Sequence, residues 1–251
     1  MLGADMQMDK EMYADAGEFY DVVSDEQWRL RRDSFQKVLS GLSTVDGAVL
    51  DIGSGTGHGV VAAAEVLPEA EIFAVEPSPT MRTALLSRIM QNGNLRSRVT
   101  VVPATSESME IPESLRAVLF LGCIGFMDEE ARKKIWSRLA SCITPGGLIL
   151  FDVMMISSPQ IVPKMHLAEI PVGRNTYHVW IEGFPEDDLY EKWMLTYQIV
   201  SDGKVLLERK AEFLWRTLSL EDVAREAEPF GFVYEPLTDT LIPSGILYKK
   251  D

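Results

Sequence analysis

Between residues 48 and 155, short apolar runs alternate with longer stretches whose apolar positions recur every three or four residues. Strands are predicted at 48–52, 71–75, 99–102, 117–121 and 148–153, with helices ending at 67 and spanning 78–91 and 128–142. The last helix gathers Ala131, Ile135, Leu139 and Cys142 on one face, and Pro145-Gly146-Gly147 turns the chain into the fifth strand. A strand–helix–strand succession of this kind builds a parallel sheet. One further helix, over 25–42 with Trp28, Phe35, Val38, Leu39 and Leu42 at helical spacing, precedes the first strand.

After residue 156 the pattern changes. Segments 177–181, 192–200 and 204–215 read as long strands with no helix between them, hence an antiparallel unit. Asp202-Gly203 signals a type I′ turn, because both central residues need φ > 0. It sets Ser201 opposite Lys204 and would place Met194, Val200, Val205, Leu207, Ala211 and Phe213 on one face. The earlier rhythm returns with a helix over 219–228, opened by the capping-box-like Ser219-Leu220-Glu221-Asp222, and strands at 232–235 and 245–249. No internal repeat or low-complexity tract interrupts the chain, so the pattern predicts one α/β domain carrying a strand-rich insertion.

Composition narrows the partners. The chain has 251 residues, 46% hydrophobic and 25% charged, enough to bury a sizeable core. Its 24 Lys and Arg face 38 Asp and Glu, a net charge of −14, which repels phosphate backbones and anionic lipid over most of the surface. No nucleic-acid partner is expected. No membrane partner is expected either, since the longest apolar run, 148–156, is broken by Asp152 and a span needs roughly 18 residues. The first residues lack a basic stretch followed by an apolar one, so a cytoplasmic location is expected. Cys123 and Cys142 are too few for a disulfide framework and lack a zinc spacing; both are expected as buried thiols, with no metal site.

The chemistry concentrates in Val49-Leu50-Asp51-Ile52-Gly53-Ser54-Gly55-Thr56-Gly57, an apolar strand entering a glycine-rich turn and then a helix. Such a turn lets backbone approach a ligand closely, and a helix N-terminus offers unpaired N–H groups. The dinucleotide fingerprint G-x-G-x-x-G fails in both frames, because His58 or Val60 stands where its third glycine belongs.

The segment does match D-x-G-x-G-x-G, and there the chain resembles the class I S-adenosylmethionine-dependent methyltransferases. Glu76-Pro77-Ser78-Pro79-Thr80-Met81 is similar to the family's acid-x-Ser-x-x-Met run, and Ile143-Thr144-Pro145-Gly146-Gly147-Leu148 to its turn into strand five. The likeness covers about residues 46–155. It implies a Rossmann-like seven-stranded methyltransferase sheet with an antiparallel strand-rich insertion after strand five, and S-adenosyl-L-methionine as cofactor. By that resemblance Asp51, Gly53, Ser54, Gly55 and Gly57 wrap the methionine half, Glu76 takes both ribose hydroxyls, and Pro77 and Met81 follow it. A carboxylate's two oxygens suit a vicinal diol.

Two stretches depart from the family. Thr105 stands where an acidic residue near the adenine is common, leaving Thr105, Ser106 or backbone for that contact. After strand four, Phe120-Leu121-Gly122-Cys123-Ile124-Gly125-Phe126 is apolar, which suggests a hydrophobic wall with a Leu121 or Gly122 carbonyl for the cofactor's ammonium. It also argues against the Asn-Pro-Pro-Tyr type of amino-methylating site.

The lead-in from Met12-Tyr13-Ala14-Asp15 to Trp28-Arg29 resembles that of small-molecule members, with Tyr13 and Tyr20 as a cap over the cofactor. Arg29 either forks onto the methionine carboxylate or merely solvates its helix. Trp180, Trp193 and Trp215 fall in the insertion, which emerges where ligands bind in such sheets. The acidic residues Glu182, Glu186, Asp187, Asp188 and Glu191 read as a solvated loop or as a lure for a cationic amine. For an oxygen acceptor a general base is needed, and His166 is the candidate; His58 opens a helix and His178 reads as a strand residue.

The expected organisation is an N-terminal helical cap (1–45), a cofactor core (46–155), an antiparallel lid (156–217) and a C-terminal helix with the last two strands (218–251). The expected activity is methyl transfer to N or O of a small molecule, with a sugar or secondary metabolite as the expected acceptor, by resemblance to the glycine and aminosugar N-methyltransferases. The alternatives are a non-methylating cofactor-binding homologue, a regulatory partner or a cyclisation-type enzyme, and, behind it, a protein or nucleic-acid methyltransferase. A free sheet edge in the insertion would also allow a homodimer.

Overall fold

The computed structural model describes residue 13 and residues 16–249. Met12, Ala14 and Asp15 of the expected lead-in lie outside the described residues. The chain divides into two units: residues 29–155 with 218–251, and residues 1–28 with 156–217.

The larger unit is built on a seven-stranded sheet of order β10-β11-β5-β4-β1-β2-β3. Its strands are β1 (Ala48–Ile52), β2 (Ile72–Val75), β3 (Val99–Val102), β4 (Leu115–Phe120), β5 (Ile143–Asp152), β10 (Phe232–Leu237) and β11 (Ser244–Lys249). The first five run parallel, while β11 is antiparallel to both β5 and β10. β1, central and flanked by β2 and β4, is buried at every position, which is why its sequence is apolar on both faces rather than alternating, with Asp51 as its one charged residue. Leu50, Val118, Phe120, Ile149 and Phe151 share a core with Ile135, Trp136 and Leu139 of the helix Glu129–Ala140.

Several helices in this unit begin with side chains that satisfy their first N–H groups. Ser78 accepts from Met81 N at 3.3 Å ahead of Pro79–Met90. Ser219 and Asp222 form a full capping box ahead of Leu220–Ala227, as the sequence predicts. The helix expected over 25–42 is instead two, Tyr20–Arg29 and Arg32–Ser40. The break between them turns Arg31 inward, where it is 6% exposed.

The smaller unit contains a four-stranded antiparallel sheet of order β6-β7-β8-β9, comprising β6 (Val162–Val172), β7 (Asn175–Pro185), β8 (Tyr190–Ser201) and β9 (Lys204–Arg216). Asp202 and Gly203 have φ of 49° and 74°, and Ser201 pairs with Lys204, as the turn signal requires. The expected shared face does not form. A bulge between Ile199 and Val200 shifts the register, so that Leu207 faces Ile199 and Ala211 faces Leu195. A one-residue slip exchanges faces. Leu207, Ala211 and Phe213 therefore join Leu195, Tyr197 and Ile199 in this unit's core, and Met194 and Val200 take the opposite side. Phe19 seals that core, stacked on Tyr197 at 4.8 Å between centroids and edge-on to Tyr177 at 5.7 Å.

Candidate active site

At the carboxyl end of β1 the chain turns sharply. Gly53 N and Ser54 N both donate to Val75 O, at 2.9 and 3.0 Å, tying the turn to the end of β2. Gly53, Gly55 and Gly57 have φ of 69°, 54° and 94°. A Cβ on Gly53 would stand 2.8 Å from Cys123 Cβ, and one on Gly57 2.6 Å from Leu85 Cδ1. Both the left-handed backbone and the close approach demand glycine there. Gly57 then caps the helix His58–Val66.

Glu76 follows β2, 3% exposed. Its Oε2 accepts from Gly55 N at 2.9 Å and its Oε1 from Ser78 N at 2.8 Å. Each oxygen keeps a second lone pair, so the carboxylate is fixed in orientation and still able to accept twice. Burial raises its pKa, opposed by those two N–H donors and by Arg82. Arg82 also donates to the Glu76 and Pro77 carbonyls, at 2.8 and 2.7 Å, and Met81 is buried beneath the same helix start.

Asp51 is 2% exposed. Burial, then the charge of Glu76, push its pKa up to about 7, against a backbone donor from Val60. Its Oδ2 has no hydrogen-bond partner among the described residues. Any Cβ on Gly59 would meet that atom at 2.7 Å.

A second cluster closes the neighbouring strand ends. Asp152 ends β5, 2% exposed, ion-paired with Arg31 and accepting from Gly122 N through Oδ1 at 2.6 Å. Burial raises the Asp152 pKa, while Arg31 and Gly122 pull it down. Gly122 is exposed, with φ of 69° and open space where a Cβ would lie. Cys123 donates from Sγ to Ile52 O at 3.0 Å. Its thiol is driven well above the usual range by burial and the carboxylates of Asp152, Asp51 and Glu76. Both cysteines are free and half-buried rather than fully buried as expected.

The structure thus brings Asp51, Gly53, Ser54, Gly55, Gly57, Glu76, Pro77 and Met81 together by direct bonds or chain continuity. Leu121 and Gly122 lie at the end of β4, two strands from β2 in the sheet order. Thr105 engages its hydroxyl with Ser108 Oγ at 3.0 Å, closing a local turn, and Ser106 O accepts from Arg138 at 3.0 Å. Tyr13 and Tyr20 meet edge-on at 6.1 Å in the smaller unit. Arg29 is exposed at a helix end. The buried arginine at this site is Arg31, which spacing alone does not single out; Asp152, the one charge in an otherwise apolar strand, is the available signal. Of the acidic run, Glu191 is 0% exposed and accepts from Gln160 N at 3.0 Å, while Asp187 accepts from Leu189 N and Tyr190 N. His166 lies on β6, a strand that the hydrophobic pattern does not predict, beside His178.

A parallel sheet with an antiparallel penultimate strand, a glycine turn after β1 and a fixed carboxylate after β2 define the class I methyltransferase fold. Residues 49–147 match the family model of the methyltransferase domain. Protein arginine N-methyltransferase 6 of Xenopus tropicalis is 28% identical over 142 residues, covering 55% of this chain and 40% of that protein. The chain therefore matches well under half of that relative's length. Among solved structures, DesVI of Streptomyces venezuelae superposes with a TM-score of 0.73 at 12% identity, over 94% of this chain and 98% of its own. The sugar N-methyltransferase KedS8 of Streptoalloteichus gives 0.67 at 17%, over 88% and 87%. The amino pentose methyltransferase CalS10 of Micromonospora echinaspora, with S-adenosylmethionine bound, gives 0.67 at 13%, over 88% and 90%. At such identities the likeness is one of fold. Residues 49–147 thus match a methyltransferase domain, and they lie on a sheet with the class I methyltransferase fold.

Proposed function

We propose that this protein transfers a methyl group from S-adenosylmethionine to a nitrogen or oxygen of a small molecule, an aminosugar-like metabolite being the favoured acceptor. The observation that carries the reading is Glu76, a buried carboxylate held by Gly55 N and Ser78 N with one acceptor position left on each oxygen. In this reading those positions take the two ribose hydroxyls. The turn 53–57 receives the methionine half, and the Gly122 loop, held by Asp152, borders it. When bound, the cofactor supplies an electrophilic methyl on a sulfonium.

What the chain must add is alignment and exclusion of water, since a neutral amine attacks without a base. The net charge of −14 favours neutral or cationic acceptors over nucleic acid. The names carried by the sugar and amino pentose methyltransferases of like fold point the same way. Free thiols at Cys123 and Cys142 suit a reducing cytoplasm.

The test is formation of S-adenosylhomocysteine with a panel of aminosugar nucleotides, small amines, hydroxylated metabolites and arginine-rich peptides. Turnover on small amines supports the reading. Turnover on the peptides alone, or tight cofactor binding with no turnover on any of them, overturns it.

A further inference from the structure

The exposed side of the β6–β7 pair carries a constellation that methyl transfer does not call for. His178 Nδ1 lies 3.3 Å from His166 Nε2 and 3.6 Å from Glu169 Oε2. One ligand atom from each of the three residues falls within 4.8 Å of the others, and among the described residues this is the group that meets that condition. Two of the chain's three histidines are in it.

Strand geometry alone would not put them there. Glu169 and His178 are directly paired across the strands, and His166 pairs with Trp180. His166 and Glu169, three residues apart, would point to opposite faces of a regular strand. A bulge between His166 and Ala168 supplies the extra residue that brings both to one face. Trp180 backs the two imidazoles, with centroids at 5.2 and 5.4 Å, and limits how far either ring can turn.

We infer that His166, Glu169 and His178 form a mononuclear site for a divalent transition-metal ion of the zinc type. Ligand atoms bound to Zn²⁺ at about 2.0–2.1 Å and at the tetrahedral angle stand about 3.3–3.4 Å apart. The 3.3 Å edge between the imidazoles matches that spacing, the 3.6 Å edge from His178 to Glu169 exceeds it by a few tenths of an ångström, and the Glu169 carboxylate, 4.0 Å from His166 Nδ1, must swing toward His166 Nε2 to close the third. Two imidazoles and a carboxylate are the borderline-soft donor set that zinc accepts and that calcium and magnesium do not favour. The side chains are 39%, 58% and 19% exposed for His166, Glu169 and His178, so a fourth position stays open to water or to a donor on an incoming ligand. An imidazole bound in this way cannot also serve as a base through the same nitrogen, so the site and the expected base role of His166 exclude each other.

The test is Zn²⁺ titration of tag-free, chelator-stripped protein, followed by calorimetry and by tryptophan fluorescence. The expected result is one Zn²⁺ per chain with a fluorescence change from Trp180. His178→Asn should weaken binding by about tenfold or more and Glu169→Gln by about tenfold, each with an unchanged far-ultraviolet circular dichroism spectrum. Binding no tighter than that of the His166→Asn/His178→Asn double variant, or binding unmoved by either single substitution, overturns the assignment.

Discussion

Replacing Asp51 by Asn should change how stability depends on pH, with a size set by the environment of that carboxyl. Burial and the neighbouring Glu76 move its pKa from 3.8 to about 7. Over that window the folded protein holds a proton that the unfolded chain has released, so wild-type stability falls as pH rises, and the full penalty is present above pH 7. Each tenfold difference in proton affinity between the two states is worth about 1.36 kcal/mol, so the whole effect is on the order of 4 kcal/mol, of which about 2.5 kcal/mol develops between pH 5 and pH 8. The Asn side chain has nearly the same shape and does not ionise. The stability of Asp51→Asn minus that of wild type should therefore grow by about 2.5 kcal/mol across those pH values. For a chain of this length that is a widening of about 5–10 °C in Tm, readable from paired thermal melts at pH 5, 6, 7 and 8. Because the Glu76 charge is the second cause of the raised pKa, the widening should shrink in a Glu76→Gln background. A gap that stays constant across pH, or that widens toward acid, refutes the reasoning.

Glu76→Gln replaces one carboxylate oxygen by an amide that faces an N–H donor, and should raise the Kd for S-adenosylhomocysteine about 10–100-fold by calorimetry; a change within threefold would remove Glu76 from the ribose. Arg31→Leu leaves Asp152 buried without its counter-charge and should cost about 3–5 kcal/mol in urea unfolding. Adding Asp152→Asn, which keeps an acceptor for Gly122 N, should recover part of that loss. Ser219→Ala removes the cap of the helix Leu220–Ala227 and should cost about 0.5–2 kcal/mol with no effect on cofactor affinity.

The parallel half of the fold was legible because buried central strands and amphipathic helices write different periods into a sequence. The insertion was harder to read, for a definable reason. β6 has register shifts on both sides of Met165 and His166 and contains Pro163 and Pro171, so it shows no alternation to detect. The hairpin turn at Asp202-Gly203 was readable from two residues, yet the faces behind it were not, because the bulge at Ile199 exchanges which residues of the last strand join the core with Phe19, and the turn residues do not encode that bulge. At the site, the glycines and Glu76 are marked by their spacing, whereas spacing points to Arg29 and the buried arginine is Arg31. Which arginine turns inward depends on where the helix breaks, and no proline or glycine marks that break.

The smaller unit is assembled from two stretches far apart in the chain, and this bears on how the protein is made. Phe19 leaves the ribosome about 160 residues before its partner Tyr177. At about 5–20 residues per second, that apolar ring waits on the order of 8–30 s with no native surface to cover it. Residues 29–155 are made in the meantime, but β11, which pairs with β5, follows it by about 90 residues and leaves that edge unpaired over the interval. Chaperone dependence during expression should therefore follow Phe19 and the β5 edge rather than the cofactor turn.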